Sequence, residues 1–165
     1  MTPMILSQNF EYLARILQVI AIAIGLALFL GAFFKLKKYG EQRTMMSMQM
    51  TMAGPLLMII SGSALLILPT FIGTALLALW GNSNPLQYSG DTTWLGAFIP
   101  PILMFVRVIG VGSFIRGLVL LARSGDHQGQ QGTMGKALIH ILAGILCVNI
   151  VGTVDLLEAL LGFTN

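Results

Sequence analysis

From Ile16 to Phe34 the chain carries no charged side chain. A bilayer's hydrocarbon core of about 30 Å takes about 20 helical residues to cross, so this stretch is long enough to span it. The run ends on Phe33-Phe34-Lys35-Leu36-Lys37-Lys38-Tyr39-Gly40-Glu41-Gln42-Arg43. A second uncharged run follows, from about Met52 to Trp80. The basic residues between them, Lys35, Lys37, Lys38 and Arg43, resist translocation and anchor a helical hairpin on the cytoplasmic side. They are the candidate lipid-headgroup or lumen-facing group of the chain.

The rest of the sequence agrees with lipid as the main solvent. Of 165 residues 56% are hydrophobic and 9% charged, against about 25% charged in soluble domains. The net charge of +3 is concentrated near the basic turns. It points to anionic headgroups, and no basic patch with interleaved aromatics suggests direct sequence-specific binding of nucleic acid. Cys147 is the single cysteine, so no internal disulfide forms. Met1 to Arg15 has no strongly basic n-region, and the first apolar run reads as a retained helix that this segment leads into.

Taken in order, the chain predicts an all-α fold. Four hydrophobic transmembrane helices form two repeated helical hairpins, 16–80 and 94–161, within a single membrane domain over 1–165. Pro69 is expected to kink the second helix. Gly81 to Thr93 reads as an outer loop, with Trp80, Tyr88 and Trp94 at the interface and Asp91 or Thr92 as a cap for the helix that follows. Pro100-Pro101 then separates a short interfacial helix from a third membrane helix at about 102–122. A Gly- and Gln-rich turn leads to a last helix from Ala137 to about Leu161. Arg116, Arg123 and Lys136 make a second basic group, so both termini fall on the periplasmic side. The tract Met45 to Met52 reads as a flexible packing surface rather than a metal site.

Small residues mark where helices come close, because lipid gives no hydrophobic drive for association. The candidates are Ala23, Ala27 and Gly31 at intervals of four, with Ala21 and Gly25 as a second pair, then Gly62, Gly117 and Gly144. Gly25 before Gly31 resembles Gly110 before Gly117, which supports a parallel repeat of the hairpin. Charges in hydrocarbon cost about 2.5–3.5 kcal/mol and need an account. Arg107 lies roughly 24 Å from Arg123 at about 1.5 Å per residue, and Asp155 roughly 28 Å from Lys136. Similar depth on adjacent antiparallel helices predicts an Arg107–Asp155 ion pair. Asn149 is expected to bond across helices, and His140 reads as structural. No catalytic constellation, metal spacing or phosphate loop is present, so no enzyme is expected.

Gly31-Ala-Phe-Phe-Lys-Leu-Lys-Lys38, the Pro-opened helix, Ile67-Leu-Pro-Thr70 and the stretch 132–150 resemble small membrane proteins of the Dot/Icm-type (type IVB) secretion apparatus. The group is IcmC/DotE and IcmD/DotP, with TraQ and TraR as conjugative counterparts, and the second half is more similar to the IcmC/DotE and TraQ side. The resemblance implies a non-enzymatic structural or channel component in the bacterial inner membrane, partnered by membrane lipids, other apparatus subunits and further copies of itself. The alternative is the pilus subunit of a conjugative pilus, an extracellular filament in which bound phospholipid is the one expected ligand. A small transporter is a third reading, and it would need more ionisable groups at mid-membrane. No cofactor or metal is implied.

Overall fold

The computed structural model describes residues 3–43, 52–81, 98–125 and 132–162. The described residues form six helices and no strand: α1 (Pro3–Arg43), α2 (Ala53–Leu66), α3 (Leu68–Trp80), α4 (Ile99–Ser124), α5 (Thr133–Val148) and α6 (Ile150–Leu161). The methionine tract at 45–51, the loop at 82–97 with its tyrosine, aspartate, threonine and second tryptophan, and the Gly/Gln-rich turn at 126–131 lie outside the described residues, as does any interfacial helix just before Phe98.

α1 is one helix of 41 residues, about 60 Å long at about 1.5 Å per residue. The segment at 35–43 is therefore not a turn but the last turns of α1. The reason is local: Lys, Leu, Glu, Gln and Arg are all good helix formers, and Gly40 alone does not end the helix. The N-terminal segment joins the same helix from Pro3 onward. Pro100 and Pro101 do not interrupt the third apolar run either. They sit in the first turn of α4, where the missing N–H costs nothing.

Two of the expected long helices are broken. α2 and α3 meet at Ile67 with a bend of 91°, and α5 and α6 meet at Asn149 with a bend of 100°. At the first break Pro69 has no N–H to offer the Leu65 carbonyl, and its ring would crowd that oxygen. Ile67 takes φ −102° and ψ 27°. The last helix, expected to be continuous to Leu161, breaks without a proline. Asn149 adopts φ −116° and ψ 64°, and its Oδ1 accepts the Gly152 N–H at 3.2 Å to cap α6. Thr153 Oγ1 lies 2.9 Å from the Leu146 carbonyl and 2.8 Å from that of Asn149, covering oxygens that the break leaves open. Asn149 thus bonds locally rather than across helices. Replacing it should cost what an N-cap costs: Asn149→Ala is expected to destabilise by about 1 kcal/mol, read as a lower melting point of helicity in detergent micelles.

α4 is central. It packs along α5 and also against α1 and α2, while α1 packs along α2. The buried core joins Leu65, Leu68, Ile72 and Leu76 of α2–α3 to Phe114, Ile115 and Leu118 of α4, with Ile145 and Val148 of α5. Phe71 of α3 rests on Phe114, ring centroids 5.6 Å apart. Two helices, Gln8–Glu41 within α1 and Ile99–Ser124, are long and apolar enough to cross a membrane, and there are up to four such spans if each bent pair counts as one.

Candidate functional site

Two helix crossings bring backbone directly against backbone. At the first, a Cβ on Gly25 would lie 3.0 Å from the Gly62 carbonyl oxygen, 2.9 Å from the Leu65 Cβ and 3.2 Å from the Leu66 nitrogen. A Cβ on Gly62 would lie 3.0 Å from the Gly25 oxygen and 3.1 Å from the Phe29 nitrogen. Backbone meets backbone, and only hydrogen fits. At the second crossing, a Cβ on Gly110 would lie 2.9 Å from the Gly144 oxygen, the Cys147 Cβ and the Val148 nitrogen. One on Gly144 would lie 2.8 Å from the Gly110 oxygen and from the Phe114 nitrogen and Cβ. A shift of 85 positions carries Gly25 and Phe29 to Gly110 and Phe114. A shift of 82 carries Gly62, Leu65, Leu66 and Ile67 to Gly144, Cys147, Val148 and Asn149. The contacts correspond one for one, and the two breaks fall at equivalent places.

Of the small residues expected to pack, Gly62, Gly117 and Gly144 do so. A Cβ on Gly117 would lie 2.7 Å from the Ile141 side chain and 3.1 Å from the Ala137 oxygen. Gly31 makes a looser contact, with Met58 Cε 3.4 Å from a Cβ added there. Ala23 and Ala27 are exposed. The face that meets α2 carries the other pair, Ala21 and Gly25, and continues to Ala32; both alanines are fully buried. These positions keep pace with the 3.6-residue turn, whereas 23, 27 and 31 drift off the contact line. Gly110 is the packing residue missing from those candidates, although its likeness to Gly25 in the repeat points to it.

Arg107 and Asp155 form no ion pair. The bend at Asn149 turns α6 away from the line of α5, and Asp155 lies exposed on α6. Arg107, partly buried, instead lines a cavity of about 320 Å³ between α1, α3 and α4. Glu11 and Gln18 contribute to its wall, with Ile72, Leu76 and Val111 among the apolar residues. Glu11 pairs with Arg15 at 3.1 Å on the surface of α1. Phe10 and Phe105, with centroids 5.4 Å apart, also join α1 to α4.

The basic residues follow the helix axes rather than a turn. Lys35 is half-buried, Lys37 and Lys38 are exposed, and Lys37 Nζ is 3.9 Å from Glu41 Oε1. Arg43 closes α1. Arg116 and Arg123 are exposed on α4 and Lys136 is exposed in the first turn of α5. His140 is held to its own helix by Nδ1–H donating to the Lys136 carbonyl at 2.8 Å, while Ser113 Oγ donates to the His140 carbonyl at 3.2 Å and ties α4 to α5. Trp80 packs on the second break: a Cβ on Gly152 would lie 2.9 Å from the indole Cδ1. No group of three or more His, Cys, Asp or Glu is placed to hold a metal ion among the described residues.

Comparison with protein-family models, with curated proteins and with solved structures finds no match for this chain.

Proposed function

We propose that this chain is a non-enzymatic structural or channel component of a membrane assembly, of the type IVB secretion or conjugation class that its sequence resembles. In this reading it is built from two copies of one hairpin. α1 and α4 cross the bilayer, α2–α3 and α5–α6 return as bent passes, the basic ends face the cytoplasm and both termini face the periplasm. One observation carries the reading. Only 17% of the apolar span of α1 is buried within the chain, and Val19, Leu26, Leu30, Phe33 and Phe34 stand exposed along it. So long an apolar surface needs lipid or protein around it.

Fractionation of cells making the whole apparatus tests this reading. Retention in the inner membrane supports it. Recovery in sheared extracellular filaments would replace it with the pilus-subunit reading, and recovery in the soluble fraction would end both. Replacing Lys35, Lys37 and Lys38 together with Gln removes most of the positive charge that fixes the first hairpin. The expected result is inverted or mixed topology by cysteine accessibility and a loss of transfer of about tenfold or more. Unchanged topology with full transfer would count against the assignment of the basic end to the cytoplasm.

A further inference from the structure

We infer that this chain assembles head to tail with further copies of itself by repeating, between chains, the contact that joins its own two halves. The inference rests on the two-copy hairpin reading but not on the identity of any apparatus. If the second half is a copy of the first, whatever face of the first half receives α4 has a counterpart on the second half. That counterpart would receive the α1 of another chain.

The exposure pattern fits this at both surfaces. On α4, Ile115 and Leu118, 7% and 4% exposed, lie in the core that joins the two halves, while their counterparts Leu30 and Phe33 on α1 are 51% and 54% exposed. On the receiving side, Ala64 and Ile72 are 6% and 7% exposed, whereas their counterparts Leu146 and Val154 are 39% and 44% exposed. At these positions each half-interface thus has an apolar, uncovered twin, while the buried Leu76 and Ala122 correspond to the exposed charges Glu158 and Lys37. The twins lie on different elements, so they complement each other and not themselves, which makes a heterologous contact.

Glycines give a second, independent sign. Where α4 ends on α2, a Cβ on Gly125 would lie 2.6 Å from the Gly54 Cα and 2.9 Å from the Ala53 oxygen. The counterparts of Gly125 and Ala53 are Gly40 and Gly135. Both sit inside helices with nothing within 4 Å of an added Cβ. A helical glycine costs about 1 kcal/mol relative to alanine, and neither position has a contact among the described residues that needs one. A neighbouring chain docked as α4 is docked would bring Gly40 onto Gly135 and the backbone of Lys136, the counterparts of Ala53 and Gly54.

Two single variants, Gly40→Cys and Gly135→Cys, each in a Cys147→Ala background, test the geometry in membranes of cells that make no other apparatus subunit. With a short bismaleimide, co-expressed variants should give covalent dimer at least tenfold above either variant alone. The double variant should give a ladder beyond dimer. Dimer from one variant alone would mean a two-fold contact and overturn the inference, as would no dimer in the mixture. Gly40→Leu and Gly135→Leu, which meet open space among the described residues, should lower cross-linking at Phe33→Cys with Leu146→Cys at least tenfold without loss of helicity. Unchanged cross-linking there would also overturn it. The apparatus reading fails separately: a ladder with no effect of these variants on transfer removes that reading and leaves self-assembly standing.

Discussion

Gly144→Leu is expected to unlock α4 from α5. Its Cβ would stand 2.8 Å from the Gly110 oxygen, from the Phe114 nitrogen and from the Phe114 Cβ, so two backbones and a fixed side chain must yield at once. Overpacking against movable side chains costs about 1–3 kcal/mol, and backbone cannot turn aside as a side chain does. We expect a loss of about 3 kcal/mol or more, seen as a shift of the unfolding midpoint in bicelles and as lost protection of the α4 and α5 amides. Gly110→Leu should act alike, and the double variant should not cost the sum, because one separation relieves both clashes. Gly112, with nothing within 4 Å of an added Cβ, is the control. Gly112→Ala should stabilise by about 1 kcal/mol through helix propensity. Equal tolerance of leucine at 112 and 144 would refute the crossing.

Arg107→Met should stabilise the protein. An ion-paired arginine would behave the opposite way, since removing it would strand Asp155. In the cavity Arg107 is partly buried with no hydrogen bond or ion pair among the described residues, and a lipid-facing arginine costs about 2.5–3.5 kcal/mol. Partial access to water lowers that cost, so a gain of about 1–2 kcal/mol is expected from Arg107→Met. Asp155→Asn should change stability by less than about 0.5 kcal/mol, as exposed sites do. A destabilised Arg107→Met together with an equally destabilised Asp155→Asn would restore the ion pair. Retained stability with lost transfer would instead give the arginine a role in the assembly.

Much of this is legible in the residues, for reasons that also explain the misses. Charge-free runs announce apolar helices because a charge in hydrocarbon is expensive, so the all-helical class follows. Gly62, Gly117 and Gly144 are readable because glycine inside a membrane helix has few uses other than close approach. Choosing between Ala23/Ala27 and Ala21/Gly25 needs the partner's position, since both series share a four-residue spacing. Pro69 marks a break but not its angle. The break at Asn149 is harder still, because an asparagine amid apolar residues reads equally as a bond to another helix. Equal depth for Arg107 and Asp155 requires a straight helix from 137 to 161, and the 100° bend at Asn149 breaks that line.

The right-angle breaks bear on the bilayer itself. α2 and α5, of 14 and 16 residues, rise only about 21 and 24 Å from the basic side before the chain turns. In the membrane proposed above, α3 and α6 then lie roughly parallel to the plane of the bilayer within its outer half. Each is nearly 20 Å long and about 10 Å wide, so together they add roughly 400 Å² of cross-section to one leaflet. The described helices add nothing comparable to the other. Each chain is then a wedge, and copies crowded into one patch would bow the bilayer outward, convex toward the periplasm.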